Sequence, residues 1–513
     1  MRKVVWAGIA SAVAFFYSYL MLFNLSGIPL FRTGDESFFW TYGWRMLHGQ
    51  VFLRDFHQFT PPGTDLVYET VFRLFGSGMQ SINWTLVGLG VALTVVCFFA
   101  ALQVVRVELA ALAAVLCFLF LYADRFDGTH HWFSSLANLL AVIVLSEAFA
   151  FRRIAAAGFL LAVAAFFTQT AGVMGLLACS GGLLWERRAT QCAWSLALKR
   201  VGLLWSTTLG VWLLFAGEFI WRAGLVNTWR AQVAYLPKDA NFPSGFLLFP
   251  FSRPVNLHGW ISGGDHLIVY LVILFVCPYV LGLCMRRKAV ILENPVPVVF
   301  LSALGIGQTL EVITMLNANR MAAVAMPGVI LFVWSIRRSK VIPVAAWCLT
   351  GVLMMGQAAA TQLHQYVLIK LPTGEVNFQA SDAEEIGWLV AHTRPGDSFV
   401  EVANTRFYAP LELRNPTPVD VLGITDITLP GWVDEVMEGL DKSRTQYVVW
   451  KSQTGNWAIS GGAYGPNDHL EPLRRYMREH YARVIVFGNG EEIWERDGRT
   501  DHPQERQYSG SDI

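Results

Sequence analysis

Long apolar runs, separated by short charged or turn-rich segments, set the pattern of this chain. They fall at roughly 4–25, 82–104, 108–123, 132–151, 154–168, 170–185, 201–221, 266–285, 296–315, 320–336 and 341–360. A helix needs about 20 apolar residues to cross a bilayer, so the pattern predicts about eleven spans, with the pair 154–168 and 170–185 the shortest. Basic clusters stand at Arg2-Lys3, Arg106, Arg152-Arg153, Arg187-Arg188 with Lys199-Arg200, Arg286-Arg287-Lys288, and Arg337-Arg338 with Lys340. Basic residues beside spans favour the cytoplasm. Two crossings fit each interval between clusters, which places the N-terminus inside and the C-terminus outside. The run from Val4 to about Leu25 is long for a signal-peptide core and has no clear cleavage site before Arg32, so it reads as a retained first span.

This topology sends the loops 26–81, 124–131 and 222–265, with tight turns near Gln169 and Asn317–Asn319, to the outer face. The loop 222–265 is rich in Phe and Pro, as interfacial segments often are, and is also a possible mobile lid. From about Thr361 the periodicities shorten. Ser381–His392 predicts a helix capped by Ser381 with Glu384 reaching back. Asp397–Val402, Tyr447–Trp450, Val484–Phe487 and Glu491–Trp494 predict strands, and Asp434–Leu440 and Leu470–Tyr481 predict helices. The reading is a polytopic α-helical membrane domain over 1–361, a soluble α/β domain over 362–496 on the extracytoplasmic side, and a disordered tail over 497–513.

Composition agrees. Hydrophobic residues make up 54% and charged residues only 15% of the 513 positions, against about 25% charged in soluble proteins. The net charge of +1 says little about partners, and the acidic, aromatic outer loops give no argument for nucleic-acid binding. Six of the seven cysteines fall in apolar runs without metal-site spacing, so they read as small buried residues. No phosphate-binding loop, dinucleotide fingerprint, HExxH or GxSxG occurs in a fitting context.

The candidate chemistry lies in the outer loops. RTGDESFFWTYGWRMLHGQ opens with the adjacent carboxylates Asp35 and Glu36. A carboxylate there can act as a general base or hold a divalent cation, or Asp35 can simply cap the helix that follows. Asp55 is a second candidate for a sugar or metal contact, and QFTPPGTD reads as a rigid corner that returns Asp65 and Tyr68 to the membrane. ADRFDGTHH gathers Arg125, Asp127, His130 and His131 in one short loop, suited to metal, phosphate or sugar hydroxyls; as a plain turn, it would use Gly128 for the bend. Within the spans, Glu218, Glu311 and Arg320 need partners or water. Arg320 lies near an outer edge, where its guanidinium suits a lipid phosphate or an interfacial position.

These features together resemble the GT-C superfamily of polytopic glycosyltransferases, in particular the bacterial branch with the protein O-mannosyltransferases and the aminoarabinose and galacturonic acid transferases of lipid A and core. The likeness rests on GDESFFWTYGWRMLHGQ after a first span, DFHQFTPPGTD, the loop ahead of HHWFSSLANLLAVIVL, the paired short spans around FFTQTAGVMGLL, and an outer domain with FYAPLELRNPTP. It implies an inverting transfer of a sugar from a polyprenyl-phosphate donor to an extracytoplasmic lipid, glycan or protein acceptor, at a bacterial inner membrane. Asp35 would be the general base, with Glu36 beside it. Basic groups, and sometimes a divalent cation, would steady the leaving phosphate. The second outer loop departs from the acidic or His-Glu pair of relatives; here Asp127 and His130 stand in its place, with Asp35 completing a possible metal set. The alternatives from other classes are a transporter or flippase for lipid-linked sugars and a non-catalytic envelope scaffold.

Overall fold

The computed structural model describes residues 1–229, 231, 265–285, 295–313, 318–339, 341–402, 404–422, 429–451 and 469–497. Most of the loop 222–265 and almost all of the tail 497–513 therefore lie outside the described residues. Each predicted apolar run coincides with a helix. In chain order these are α1 (Arg2–Leu22), α4 (Met79–Leu102), α5 (Val107–Cys117), α6 (His130–Glu147), α7 (Phe151–Phe167), α8 (Gln169–Thr190), α9 (Trp194–Ala223), α11 (Asp265–Met285), α12 (Pro295–Val312), the pair α13 (Ala318–Val324) and α14 (Met326–Ser335), and α15 (Val341–Leu363). Among the described residues, five helices are long and apolar enough to cross a membrane, and shorter apolar helices cover Val107–Tyr122, Ile273–Met285 and Met326–Ser335.

Local sequence explains the irregularities. The pair α7 and α8, expected to be short, is 17 and 22 residues long and meets at Thr168, whose extended backbone breaks the helix. The single span predicted over 320–336 is divided at Ala325, because Pro327 suits a first helical turn and cannot continue a helix from upstream. After α5 the chain widens into a π-helical turn, Phe118–Tyr122. Its Tyr122 lies so close to α4 that a Cβ on Gly90 would sit 2.8 Å from the ring, and its hydroxyl donates to Leu86 O at 2.7 Å. The run Ala110-Ala111-Leu112-Ala113-Ala114 in α5 is fully buried; small side chains allow close helix approach where lipid gives no hydrophobic drive.

Two further helices fold within the loop 26–81: α2 (Glu36–Leu47) and α3 (Gly63–Phe75). Asn83 donates to Leu22 O at 2.7 Å and Leu30 O at 3.0 Å, tying the end of α1 to the loop that follows. The Pro61-Pro62 corner leads directly into α3, and a Cβ on Gly63 would meet Phe166 O at 2.6 Å, so α3 starts against the end of α7. Between α9 and α11 a short helix, α10, spans Leu225–Trp229.

The soluble portion begins with an antiparallel hairpin, β1 (Val367–Leu371) and β2 (Gly374–Phe378), not anticipated from the sequence. Helix α16 (Ala380–His392) starts one residue earlier than expected: Gln379 occupies the cap position without a side-chain bond, so the capping box at Ser381 does not form. A mixed sheet in the order β3-β4-β6-β5 follows, with β3 (Phe399–Val402) parallel to β4 (Tyr447–Lys451), and β6 (Glu491–Arg496) antiparallel to both β4 and β5 (Tyr481–Val486). Helices α17 (Tyr408–Leu411), α18 (Pro430–Ser443) and α19 (Glu471–His480) complete it. This α/β unit rests on the end of the bundle that carries α2 and α3.

Candidate active site

The first turn of α2 holds the acid pair. Glu36 is buried at 3% exposure, and its side chain folds back over Gly34, where any Cβ would lie 2.6 Å from Glu36 Oε2. Asp35 takes the cap position, but its side chain makes no capping bond, so the structural role weighed from the sequence is not realised. Asp35 is exposed. The carboxyl of Glu36 hydrogen-bonds that of Asp127, which is itself 5% exposed. The loop 124–129 thus closes on α2 from across the bundle.

Backbone constraints put Asp127 there. Phe126 is left-handed at φ 51, and the guanidinium of Arg32 lies 5.5 Å from its ring. Gly128 lies beneath Tyr68, whose hydroxyl donates to Gly128 O at 3.1 Å; a Cβ at position 128 would be 2.3 Å from that hydroxyl. Helix α3 packs against α2 at Gly43, where a Cβ would meet Tyr68 Cβ at 2.8 Å.

Burial shapes the electrostatics. It pushes the Glu36 carboxyl up to about 7; the Asp35 charge adds to the rise, while Arg32 and the backbone oppose it. Burial also raises Asp127 well above the usual carboxylate range, reinforced by Glu36 and then Asp35. Two buried carboxyls in contact hold a proton between them near neutrality. Asp127 Oδ1 is buried without a hydrogen-bond partner among the described residues, and Thr129 donates to Oδ2 at 3.4 Å.

The histidines lie next to this cluster on the first turn of α6. His130 packs 5.3 Å from Phe39 of α2 and 3.9 Å from His131, ring to ring. Its Nδ1 is 2.7 Å from Thr168 Oγ1, at the α7–α8 break. Arg320 stands beside both histidines and Glu311, and Glu311 also accepts from Thr170 at 3.1 Å. Asp35, Glu36 and Asp127 therefore come together, with His130, His131 and Arg320 adjoining. Arg125 points away and pairs loosely with Asp124 at 3.8 Å. Asp55 is occupied locally by Arg54 at 2.8 Å and by the Val51 amide at 2.7 Å.

Among the described residues, no group of three or more His, Cys, Asp or Glu side chains is placed to hold a metal ion. Asp35, Asp127 and His130 do not form the ligand set anticipated from the sequence, because His130 turns to Thr168 while Asp127 turns to Glu36. The donors present do not fit a cation held by protein ligands alone.

The sequence reading passed over Arg32, Tyr68 and Thr168 as site residues, and also the grip of the soluble domain on α2. Thr405 O accepts from Thr41 Oγ1 at 2.9 Å and Trp40 Nε1 at 3.3 Å, and Leu413 O accepts from Trp44 Nε1 at 3.0 Å. Arg45 forms a buried ion pair with Asp420. Two tryptophans, a Thr and an Arg within the aromatic stretch SFFWTYGWRML were the available signal; the partners lie more than 360 residues away.

No family model and no curated protein matches the chain. Solved structures do. ArnT from Cupriavidus metallidurans in the apo state aligns at TM-score 0.58 and 13% identity, covering 98% of this chain and 100% of that one. The same protein bound to undecaprenyl phosphate aligns at 0.56 and 12%, covering 98% and 99%. The oligosaccharyltransferase AglB of Archaeoglobus fulgidus, in complex with an inhibitory peptide and a dolichol-phosphate, aligns at 0.52 and 11%, covering 97% and 74%. The chain has the GT-C fold. A further structure of the Archaeoglobus GT-C protein holds zinc and sulfate and aligns at 0.51. At these identities the likeness is one of GT-C architecture, end to end along this chain.

Proposed function

We propose that the protein is an integral membrane glycosyltransferase that moves a sugar, with inversion, from a polyprenyl-phosphate donor to an extracytoplasmic acceptor. The observation that carries this reading is the acid cluster of Asp35, Glu36 and Asp127 at the loop-bearing end of a GT-C bundle. Asp35 is the exposed member and takes the proton of the acceptor hydroxyl as that oxygen attacks the anomeric carbon. The bond from that carbon to the phosphate oxygen breaks, and its electron pair leaves with the polyprenyl phosphate, which needs no acid. Arg320 supplies positive charge to the departing phosphate. Glu36 and Asp127, sharing a proton beneath Asp35, hold α2 and the 124–129 loop in register. His130 and His131 line the approach, whereas Arg125 and Asp55 are peripheral.

The bound undecaprenyl phosphate of ArnT and the dolichol-phosphate of AglB support this donor class. The basic clusters support an N-terminus in the cytoplasm and the α/β domain outside it; a bacterial inner membrane is the location this reading implies. The test is Asp35→Asn in membranes supplied with polyprenyl-phosphate sugars. Transfer should fall by about 10²–10⁴-fold while expression and insertion stay normal. A wild-type rate removes Asp35 as the base.

A further inference from the structure

A roomy cleft lies away from the acid cluster. It encloses about 1030 Å³ between the C-terminal end of α2, α3, the start of α4 and the soluble domain. Its apolar lining is Leu47, Val71, Phe72, Phe75 and Trp84, with Gln80 and Glu412 among its polar groups. A smaller recess of about 180 Å³ adjoins it and is polar, lined by Arg45, His48, Gln50, Arg414 and Asn415. Trp44 and His48 line both spaces and so form the partition between them. The two spaces are a larger, mainly apolar chamber and a smaller one of mixed lining that carries the Arg45 and Arg414 guanidinia.

The position gives the chambers a common occupant. The apolar chamber lies where α4, a helix long and apolar enough to cross a membrane, begins. Its Trp84 is 39% exposed and belongs to an aromatic band at the end of α1, 6.0 Å from Phe15 and 5.0 Å from Phe23. Aromatic side chains of this kind mark the headgroup level of a bilayer, and Phe75 and Leu74 continue the band at 74% and 67% exposure. The apolar lining is thus continuous with lipid. The recess beyond the partition offers donors. Arg45 is held by Asp420, Thr417 O and Gln50 Oε1, which fixes its guanidinium in place. Arg414 is exposed, and His48 donates from Nδ1 to Trp44 O at 2.8 Å, which makes Nε2 of the neutral ring an acceptor and leaves the anion to the guanidinia. The exposed Arg414 guanidinium, with the remaining N–H groups of Arg45, whose charge Asp420 balances, suits an anionic oxygen cluster such as a phosphodiester. Glu412 sits on the apolar side, away from where the anion would lie.

We infer that these joined chambers bind an anionic membrane amphiphile, its phosphate head in the Arg45/Arg414 recess and its chains against Phe72, Phe75 and Trp84. Arg45 is nine residues beyond Glu36 on α2, about 14 Å along the helix at 1.5 Å per residue. The head is therefore separate from the acid cluster, and the inference does not depend on the transferase reading. The lipid sits where α2, α3 and the soluble domain converge, so its occupancy bears on how firmly α2 is held.

The experiment is thermal unfolding of the purified full-length protein in detergent, titrated separately with phosphatidylglycerol, phosphatidylcholine and inorganic phosphate. A ligand specific to the folded state raises the melting temperature by mass action. Phosphatidylglycerol should raise it at lower concentration than phosphatidylcholine, with little response to phosphate alone. Arg414→Ala removes one charge-assisted contact and should raise the phosphatidylglycerol concentration needed by about tenfold. Gln80→Trp, a plug in the apolar chamber, should blunt the response to both lipids. Both positions are exposed, and each variant's unliganded melting temperature reports its folding. Asp35→Asn should respond as wild type, which separates this result from any failure of the transferase reading. Equal responses to the two lipids, a full response to phosphate alone, or a wild-type response in either variant overturns the inference.

Discussion

Replacing Glu36 by Gln should make the protein more stable at pH 8 and remove much of its pH dependence between 4.5 and 7. Burial moves this carboxyl from 4.5 up to about 7, which makes its charged form roughly 3 kcal/mol less favourable in the folded protein than in the unfolded chain. The sign follows from proton binding. The folded state holds the proton more tightly, so this group's contribution is most favourable below about 4.5, is lost as pH rises towards 7, and stays lost above it. Gln keeps the shape and offers a hydrogen-bond donor to Asp127 without a charge. Part of the effect passes to Asp127, because the two share a proton and their contributions do not add. The measurement is unfolding of wild type and Glu36→Gln from pH 5 to 8. The wild-type curve should fall towards pH 8 and the variant curve should lie flatter and above it there. Parallel curves, or a variant less stable at pH 8, would refute the account of a protonated, buried pair.

Three further outcomes follow from other contacts. Gly128→Ala would place a Cβ 2.3 Å from the Tyr68 hydroxyl and should destabilise by about 1–3 kcal/mol; Tyr68→Phe in the same chain should recover part of that loss in a denaturant titration. Arg406 faces Glu401 at 2.8 Å and Glu385 at 3.4 Å, and also pairs with Glu491, all buried. Arg406→Met should cost about 3–5 kcal/mol, read as early melting of the soluble domain, whereas Glu385→Gln should be mild at neutral pH because burial already pushes Glu385 up to about 9. Arg320→Ala should weaken stabilisation by added polyprenyl phosphate, read as a smaller melting-temperature rise; an undiminished rise removes Arg320 from the phosphate contact.

The helices were legible because a bilayer imposes a length and an apolar composition that survive in any single run, as in α1 and α4. Their interruptions were less so: nothing in 320–336 except Pro327 marks the division at Ala325. In the soluble part, strands of alternating Val, Ile and aromatic residues were readable, yet the hairpin Val367–Phe378 was missed. Its first strand, VLIKL, is partly exposed and only five residues long, and follows α15 after just His364-Gln365-Tyr366. The acid pair at 35–36 drew notice because adjacent carboxylates after a span are conspicuous. That Glu36 would turn inward to Asp127 while Asp55 turned to Arg54 was not readable, because local sequence does not encode which distant loop closes over a carboxyl.

The bonds from Trp40, Thr41, Trp44 and Arg45 to the soluble domain span 364 to 375 residues of chain. Synthesis at about 5–20 residues per second puts roughly 20 to 70 seconds between the emergence of α2 and the arrival of its partners. Throughout that interval the helix bearing Asp35 and Glu36 lacks the contacts that orient it. The end of the bundle that carries Asp35 and Glu36 is thus set in place only after residues 405–420 have emerged.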